Sequence, residues 1–413
     1  MDPRRIRIAD ITYELPPERI AQNPLADRDA AKLLVYRDGR ITDDRFGSLA
    51  AHLPAGSLLV LNDTRVVKAR IIFHRRTGAR IECMILDPED HGPMEAALHA
   101  IGRSRWWCMV GNAARWDPGE TLWTGEGPGA LRASRSGTKD GTHLVEFAWD
   151  DGAPFADKLE IFGHVPLPPY MKRPDDADDP IRYNTVFAEH DGSVAAPTAS
   201  LHFTPVLLRS LTARGMGTAH VTLHVGAGTF LPVKSGTMDG HHMHTEQVRI
   251  PRATVEMLRE RTGRSPIVPV GTTALRTIES LCWFGDDLLN GADPDDLEVA
   301  QWRPYDVRPA VNARASLQAV LRWMDQRRLD TLSGRTALLI APGYRFRLAD
   351  ALVTNFHQPG STLLLLVEAF IGGARPEVYQ HALQTGYRFL SYGDGSLLWR
   401  NGGTMGRPPG YVP

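Results

Sequence analysis

The sequence predicts an α/β main domain interrupted by a small antiparallel β-barrel domain. Three observations carry this. Runs apolar on both faces, such as Ser57-Leu58-Leu59-Val60-Leu61, read as buried central strands of a sheet covered on both sides. Apolar strands at 219–225 and 267–270 alternate with helical spacing near 204–214 and 251–262, the pattern of helices packed on a sheet. Between 66 and 155 the texture changes to short strands and glycine-rich turns with no long helix. The resulting division is 1–65 with 156–413 for the α/β domain, and 66–155 for the barrel.

Taken in order, Leu33-Leu34-Val35-Tyr36 is a strand ended by the turn residues Asp38-Gly39. Phe46, Leu49 and Leu53 have helical spacing over 44–53, which stops at Pro54. Within 66–155, Trp106 to Gly111 and Leu144 to Trp149 are strand-like, separated by turns such as Gly125-Glu126-Gly127 and Lys139-Asp140-Gly141. An acidic stretch (Asp175, Asp176, Asp178, Asp179) precedes the return of α/β texture. Residues 284–334 read as a polar insert, with helical spacing over 313–328.

Composition bounds the function. The chain has 413 residues, 42% of them hydrophobic and 23% charged, which excludes disordered, collagen-like and coiled-coil classes. Lys+Arg number 47 against 48 Asp+Glu, so a globally basic nucleic-acid binder is not expected, although a local basic patch is compatible. The three cysteines, Cys83, Cys108 and Cys282, form no C-x-x-C pair and read as small buried hydrophobes. No run approaches the roughly 20 apolar residues that span a bilayer, and the N-terminus lacks a signal-peptide core. The expectation is a soluble, cytoplasmic protein.

Four polar segments lie at expected strand ends, where ligands of α/β sheets gather. Asn62-Asp63-Thr64-Arg65 can hydrogen-bond a polar ligand, or make a turn or helix cap. The second segment, 192–204, holds Pro197, Thr198, His202 and Phe203. His202 suits proton transfer, or is a satisfied packed histidine. In the third, Gly226-x-Gly228-Thr229 after a strand resembles a phosphate cradle but lacks the third glycine and the lysine of a P-loop. The nearby His242, His244 and Glu246 share one face if that segment is extended. They suit a general base with partners, a metal site or an exposed strand. The fourth joins Gly271-Thr272-Thr273 and Arg276 to Asn355-Phe356-His357: hydroxyls and N–H groups for an anion, and a ring for a base, or a helix cap and a packed loop. Between 65 and 80 lie six basic residues (Arg65, Lys68, Arg70, Arg75, Arg76, Arg80) and no acid, a phosphate patch or a solvated face.

In order along the chain, YELPPE (13–18), LLVLNDTRVVKAR (58–70), VPLPPY (165–170), GSVAAPTASLHFT (192–204), TLHVGAGTF (222–230), HMHTE (242–246), VGTTALRTIES (270–280), PGYRF (342–346), TNFHQPGSTLLLLVEAF (354–370) and YRFLSYGD (387–394) resemble the S-adenosylmethionine:tRNA ribosyltransferase-isomerases of queuosine biosynthesis. The resemblance implies an α/β domain with an inserted β-barrel. It also implies transfer and isomerisation of the ribosyl group of S-adenosylmethionine, a co-substrate, onto 7-aminomethyl-7-deazaguanine at the tRNA wobble position. Epoxyqueuosine-tRNA, adenine and methionine are the implied products, and no metal is implied. Glu246 or His244, then His202, are the candidate bases. Asp63, Thr273 and Asn355 are candidates to orient substrate, and Arg65 and Arg276 to meet phosphate or carboxylate. The implied state is a monomer or weak homo-oligomer.

This sequence departs from the family pattern at Ser200, where glycine is usual, at Gln247-Val248, where aromatic residues are usual, and in the length of 284–334. A paralogue acting on another acceptor, or a non-catalytic RNA-binding relative, are the competing expectations.

Overall fold

A computed structural model describes residues 2–90, 92–226, 235–308 and 312–400. The strand Leu58–Asn62, apolar on both faces in sequence, is buried at every position. Its side chains alternate between two cores: Leu58 and Val60 pack with Ala274, Leu275 and Ile278, while Leu59 and Leu61 pack with Phe203, Leu207 and Val268. Ile267–Pro269 and Gly217–Leu223 flank it, both parallel. The sheet continues antiparallel through Glu246–Pro251 and Thr331–Thr336 and ends on Leu297–Val299, six strands in all.

A second, four-stranded sheet has the order Ala351–Asn355, Gly395–Trp399, Lys32–Arg37, Arg40–Arg45. Asp38 and Gly39 turn its hairpin with φ of 50° and 75°, the paired positive values that two-residue hairpins favour. A parallel bridge between Val270 and Val353 joins the two sheets, and the Gly271 N–H donates to the Val353 carbonyl at 2.8 Å. Four strands therefore run the same way, and residues 62, 223, 269 and 355 end at one edge of the molecule.

The third sheet is antiparallel throughout. Its order is Gly163–His164, Arg70–His74, Arg80–Pro88, Arg103–Gly111, Thr142–Ala148, Leu131–Lys139, Leu122–Thr124. It has its own core of buried rings, including Trp106, Trp116, Trp149, Phe73, Phe147 and Phe155. Cys83 and Cys108 lie in this core and Cys282 in the main one, all three unpaired. Thr64–Val66, paired in parallel with His190–Ser193, connects this sheet to the main one.

Helices at Pro205–Ala213 and Arg252–Arg261 match the expected segments. The helix expected over 44–53 does not form. Asp44 and Arg45 remain in the hairpin opposite Leu33 and Lys32, and only a 3₁₀ helix, Phe46–Ala51, follows. Ladder pairing of those two residues outweighs the helical spacing. The stretch 284–334, polar in composition, is structural: it supplies Leu297–Val299 and most of Thr331–Thr336 to the main sheet. Its helix Ala313–Arg327 packs on the 18-residue helix Thr272–Leu289, where Phe284 meets the Trp323 ring at 5.3 Å. Among the described residues no helix is long and apolar enough to cross a membrane.

Candidate functional site at the carboxyl edge

Asn62 ties the edge together. Its Nδ2 donates to the Leu223 carbonyl at 3.0 Å and to Thr273 Oγ1 at 3.3 Å, while its Oδ1 accepts from the Leu223 and Thr64 N–H groups at 3.0 and 3.2 Å. Two donors and two lone pairs exhaust the amide, so Asn62 holds three strand ends in register and has nothing left for a ligand. Asp63, next along the strand, turns to the opposite side. Thr222 Oγ1 donates to its Oδ1 at 2.7 Å, and burial pushes its carboxyl above the ordinary range. Asp63, Glu189 and His190 place ligand atoms within 4.8 Å of one another, the one metal-capable group among the described residues.

Thr64 Oγ1 lies 2.9 Å from His224 Nδ1, and burial lowers His224 to about 4, so this ring is neutral at pH 7. His224 lies within the third segment, TLHVGAGTF, but the sequence assigned it no role. Its one signal is a histidine set between the apolar Leu223 and Val225 at the end of the run 219–225. Arg65 is exposed, donating to the Ala188 carbonyl at 3.0 Å and lying 3.6 Å from Asp191.

The second and fourth segments meet. Thr198 Oγ1 donates to Asn355 Oδ1 at 2.9 Å, and Asn355 Nδ2 lies 3.4 Å from His202 Nε2. His202 Nδ1 lies 3.4 Å from the Arg28 carbonyl, and burial lowers this ring to about 4. Burial holds the ring neutral against the Arg28 carbonyl, which favours the charged form, and the Asn355 Nδ2 donor faces an unprotonated Nε2. Pro197 is the residue before the 3₁₀ turn Thr198–His202. Ser200, where the family pattern has glycine, buries its hydroxyl with no partner.

Neither aromatic candidate offers a face to a base. Phe203 is fully buried between Phe46 and Phe187, and Phe356 lies among Tyr379, Tyr387 and Phe389. Thr354 Oγ1 is 3.0 Å from His357 Nε2, and burial lowers His357 to about 4. Packing accounts for these three residues.

Gly271, at φ 91°, precedes the helix that opens at Thr272 and carries Thr273 and Arg276. A side chain there would be strained whatever the space. Arg276 is 6% exposed; its Nη1 donates to Glu246 Oε2 at 2.5 Å and its Nε to the Leu338 carbonyl at 3.0 Å. Its Nη2 is buried with no partner. Glu246, also 6% exposed, opens its strand beside the end of Gly217–Leu223. His242 and His244 are exposed, outside any regular element, whereas Glu246 is buried. The shared face expected for the three does not form, because the extended segment begins only at Glu246. Gln301 instead holds this segment, accepting from Met243 N–H at 2.9 Å and donating to the His241 carbonyl at 2.7 Å. Gly226 follows the strand end, while Gly228 and Thr229 lie outside the described residues.

Five of the six basic residues of the run 65–80 are ion-paired, and Arg76 is exposed. Arg65, Lys68, Arg70, Arg75 and Arg80 each have an acidic partner within 4.0 Å: Asp191, Glu160, Asp175, Asp117 with Glu120, and Glu82.

Polar side chains gather at the carboxyl ends of parallel strands, the edge at which ligands of α/β proteins bind. The comparisons give that class its family. The family model described as "Queuosine biosynthesis protein" matches residues 8–398, and the chain belongs to this family. A protein of Rhodospirillum rubrum named S-adenosylmethionine:tRNA ribosyltransferase-isomerase is 40% identical over 396 residues, covering 95% of this chain and 98% of its own. One of the same name from Phenylobacterium zucineum is 41% identical over 409 residues, covering 96% and 100%. A solved structure, described as S-adenosylmethionine tRNA ribosyltransferase from Thermotoga maritima, is 29% identical, with 94% of this chain and 99% of that chain covered and a TM-score of 0.45.

Proposed function

We propose that this protein transfers and isomerises the ribosyl group of S-adenosylmethionine onto 7-aminomethyl-7-deazaguanine at the wobble position of tRNA. The products are epoxyqueuosine-tRNA, adenine and methionine. The observation that carries the reading is family membership across nearly the whole chain, with relatives of that name about 40% identical over their full lengths.

The sulfonium of the co-substrate acidifies the ribose carbon beside it, so the reaction opens with removal of a proton by a positioned base. We assign that base to Glu246, ahead of His244 and His202. Arg276 occupies only Oε2 of Glu246, leaving Oε1 outside that contact. His202 has both nitrogens engaged, and His244 stands out in solvent. The buried, unpartnered Nη2 of Arg276 suits a substrate oxygen, and Thr273 and Thr198 present hydroxyls at the same edge. The proposal requires no metal.

The seven-stranded antiparallel sheet is, in this reading, the inserted barrel domain, curled around its own aromatic core, with six strands inside 66–155 and the seventh, Gly163–His164, beyond that boundary. A tRNA acceptor implies a cytoplasmic site of action, with the protein a monomer or weak homo-oligomer.

The test is to incubate the protein with S-adenosylmethionine and tRNA carrying 7-aminomethyl-7-deazaguanine, following adenine release and nucleoside mass together. Adenine with an epoxyqueuosine nucleoside is expected. Folded protein yielding neither product overturns the reading, and adenine release without modified tRNA points to another acceptor.

A further inference from the structure

Three guanidiniums converge on a small cavity next to the candidate site. Arg28, Arg182 and Arg388 line it with Leu201, His202 and Tyr392, and its volume is about 20 Å³. It lies where Ala351–Asn355 ends and where Lys32–Arg37 and Gly395–Trp399 begin. The contact of His202 Nε2 with Asn355 Nδ2 therefore joins its wall to the carboxyl edge.

The arginines are unusual in their partners. Arg28 donates to the carbonyls of Asn184, Leu201 and Ile181 at 2.9, 3.1 and 2.7 Å. Arg182 donates to the Ala26 carbonyl at 3.0 Å and to that of Leu25, and its Nε is buried with no acceptor. Arg388 donates to the Asn23 and Tyr392 carbonyls at 3.1 and 2.6 Å. Every acceptor is a neutral backbone group. Among the described residues none of the three forms an ion pair within 4.0 Å, in contrast to the paired run 65–80.

That arrangement is electrostatically costly. Burial, then the neighbouring Arg182 charge, hold Arg28 below its ordinary range, and burial does the same to Arg388. Asp394 opposes the shift at Arg388, but its two oxygens accept from the backbone N–H groups of Lys32 and Arg388 at 2.9 and 2.7 Å. Clustered like charges with no ion-paired partner are what an anion relieves.

We propose that this cavity binds an oxyanion of one of the two substrates, an RNA backbone phosphate or the methionyl carboxylate, with Arg28, Arg182 and Arg388 as its counter-charges. In naming those sources the proposal rests on the function proposed above. The size of the cavity supports the ligand class. Such a volume takes one or two oxygen-sized groups, so an anionic group can seat one or two of its oxygens there while a sugar or a base is excluded.

The first test uses inorganic phosphate alone. Melting temperatures of the full chain are measured with phosphate against chloride at equal ionic strength. Phosphate is expected to raise the wild-type melting temperature saturably, and Arg182→Gln to weaken its apparent affinity about ten- to a hundredfold. Arg388→Gln is a second variant. If it does not fold, Arg182→Gln decides, since that arginine is half-buried and its side-chain bonds go to two carbonyls of one segment. No phosphate protection of the wild type, or equal protection of wild type and variants, overturns the proposal.

The second test names the source. An RNA phosphate predicts that Arg182→Gln reduces the slope of log K for tRNA against log salt by about 1, with S-adenosylmethionine affinity unchanged. A methionyl carboxylate predicts the reverse, a ten- to hundredfold loss of S-adenosylmethionine affinity at constant slope. Neither change overturns the proposal. The phosphate test uses neither substrate, so a phosphate response without turnover refutes the proposed function and leaves the cavity assignment standing.

Discussion

Glu246 and Arg276 form an ion pair of 2.5 Å in which both side chains are withdrawn from solvent. One residue opens a strand of the main sheet and the other sits in the second turn of the helix after Gly271. The pair thus fixes that helix against the strand at the edge where the candidate site lies.

Removing one member leaves the other as a buried, uncompensated charge. Arg276→Met is expected to destabilise the protein by about 3–5 kcal/mol, and Glu246→Leu with Arg276→Met to recover much of that loss. Urea unfolding of the two variants checks this; equal midpoints for single and double variants contradict it.

Glu246→Gln separates structure from chemistry. With Glu246 as the base, adenine release is expected to fall about 10²–10⁴-fold, while S-adenosylmethionine affinity stays within a few-fold. Adenine release at the wild-type rate removes Glu246 from the mechanism and moves attention to His244.

Asn62→Ala is expected to be costly out of proportion to its size. It deletes all four hydrogen bonds of a fully buried amide and leaves both backbone groups of Leu223 without that partner. A loss of about 3 kcal/mol or more in unfolding free energy is expected. A cost under about 1 kcal/mol would show that the strand ends hold without it.

His202 gives a pH dependence of defined sign. Its folded value of about 4 lies below the ordinary 6.5, so the unfolded chain binds the extra proton more readily. Its contribution is complete above about pH 6.5 and is lost as pH falls toward 4, on the order of 3 kcal/mol. His224 and His357 act in the same direction. His202→Gln is expected to flatten the fall in stability between pH 6.5 and 4, measured by urea midpoints; an unchanged profile refutes it.

Gly285 tests the structural role of the 284–334 stretch. A Cβ there would lie 2.3 Å from the Ser316 carbonyl, where Thr272–Leu289 meets Ala313–Arg327. Gly285→Ala is expected to cost about 1–3 kcal/mol through overpacking. A melting temperature equal to that of wild type would mean that the two helices part freely.

The two-sided strand Leu58–Asn62, the turn at Asp38-Gly39 and the antiparallel texture after residue 66 were legible because each follows from local periodicity or turn chemistry. The helix expected over 44–53 was not, since pairing with a strand eleven residues earlier overrides spacing. Likewise, polar composition hid the strands of 284–334, which are short and shielded by the helices around them.

By itself, the sequence determined the strand-and-turn pattern, the segments that supply the carboxyl edge, and the resemblance that names the family. Only the tertiary structure decided which of those residues have unspent chemistry. Asn62, Phe203, Phe356 and His357 prove to be consumed by packing and hydrogen bonds, while Arg28, Arg182 and Arg388, from three distant segments, prove to share one cavity. The physical reason is that a side chain's type is local, whereas its burial and its partners are set by segments hundreds of residues away.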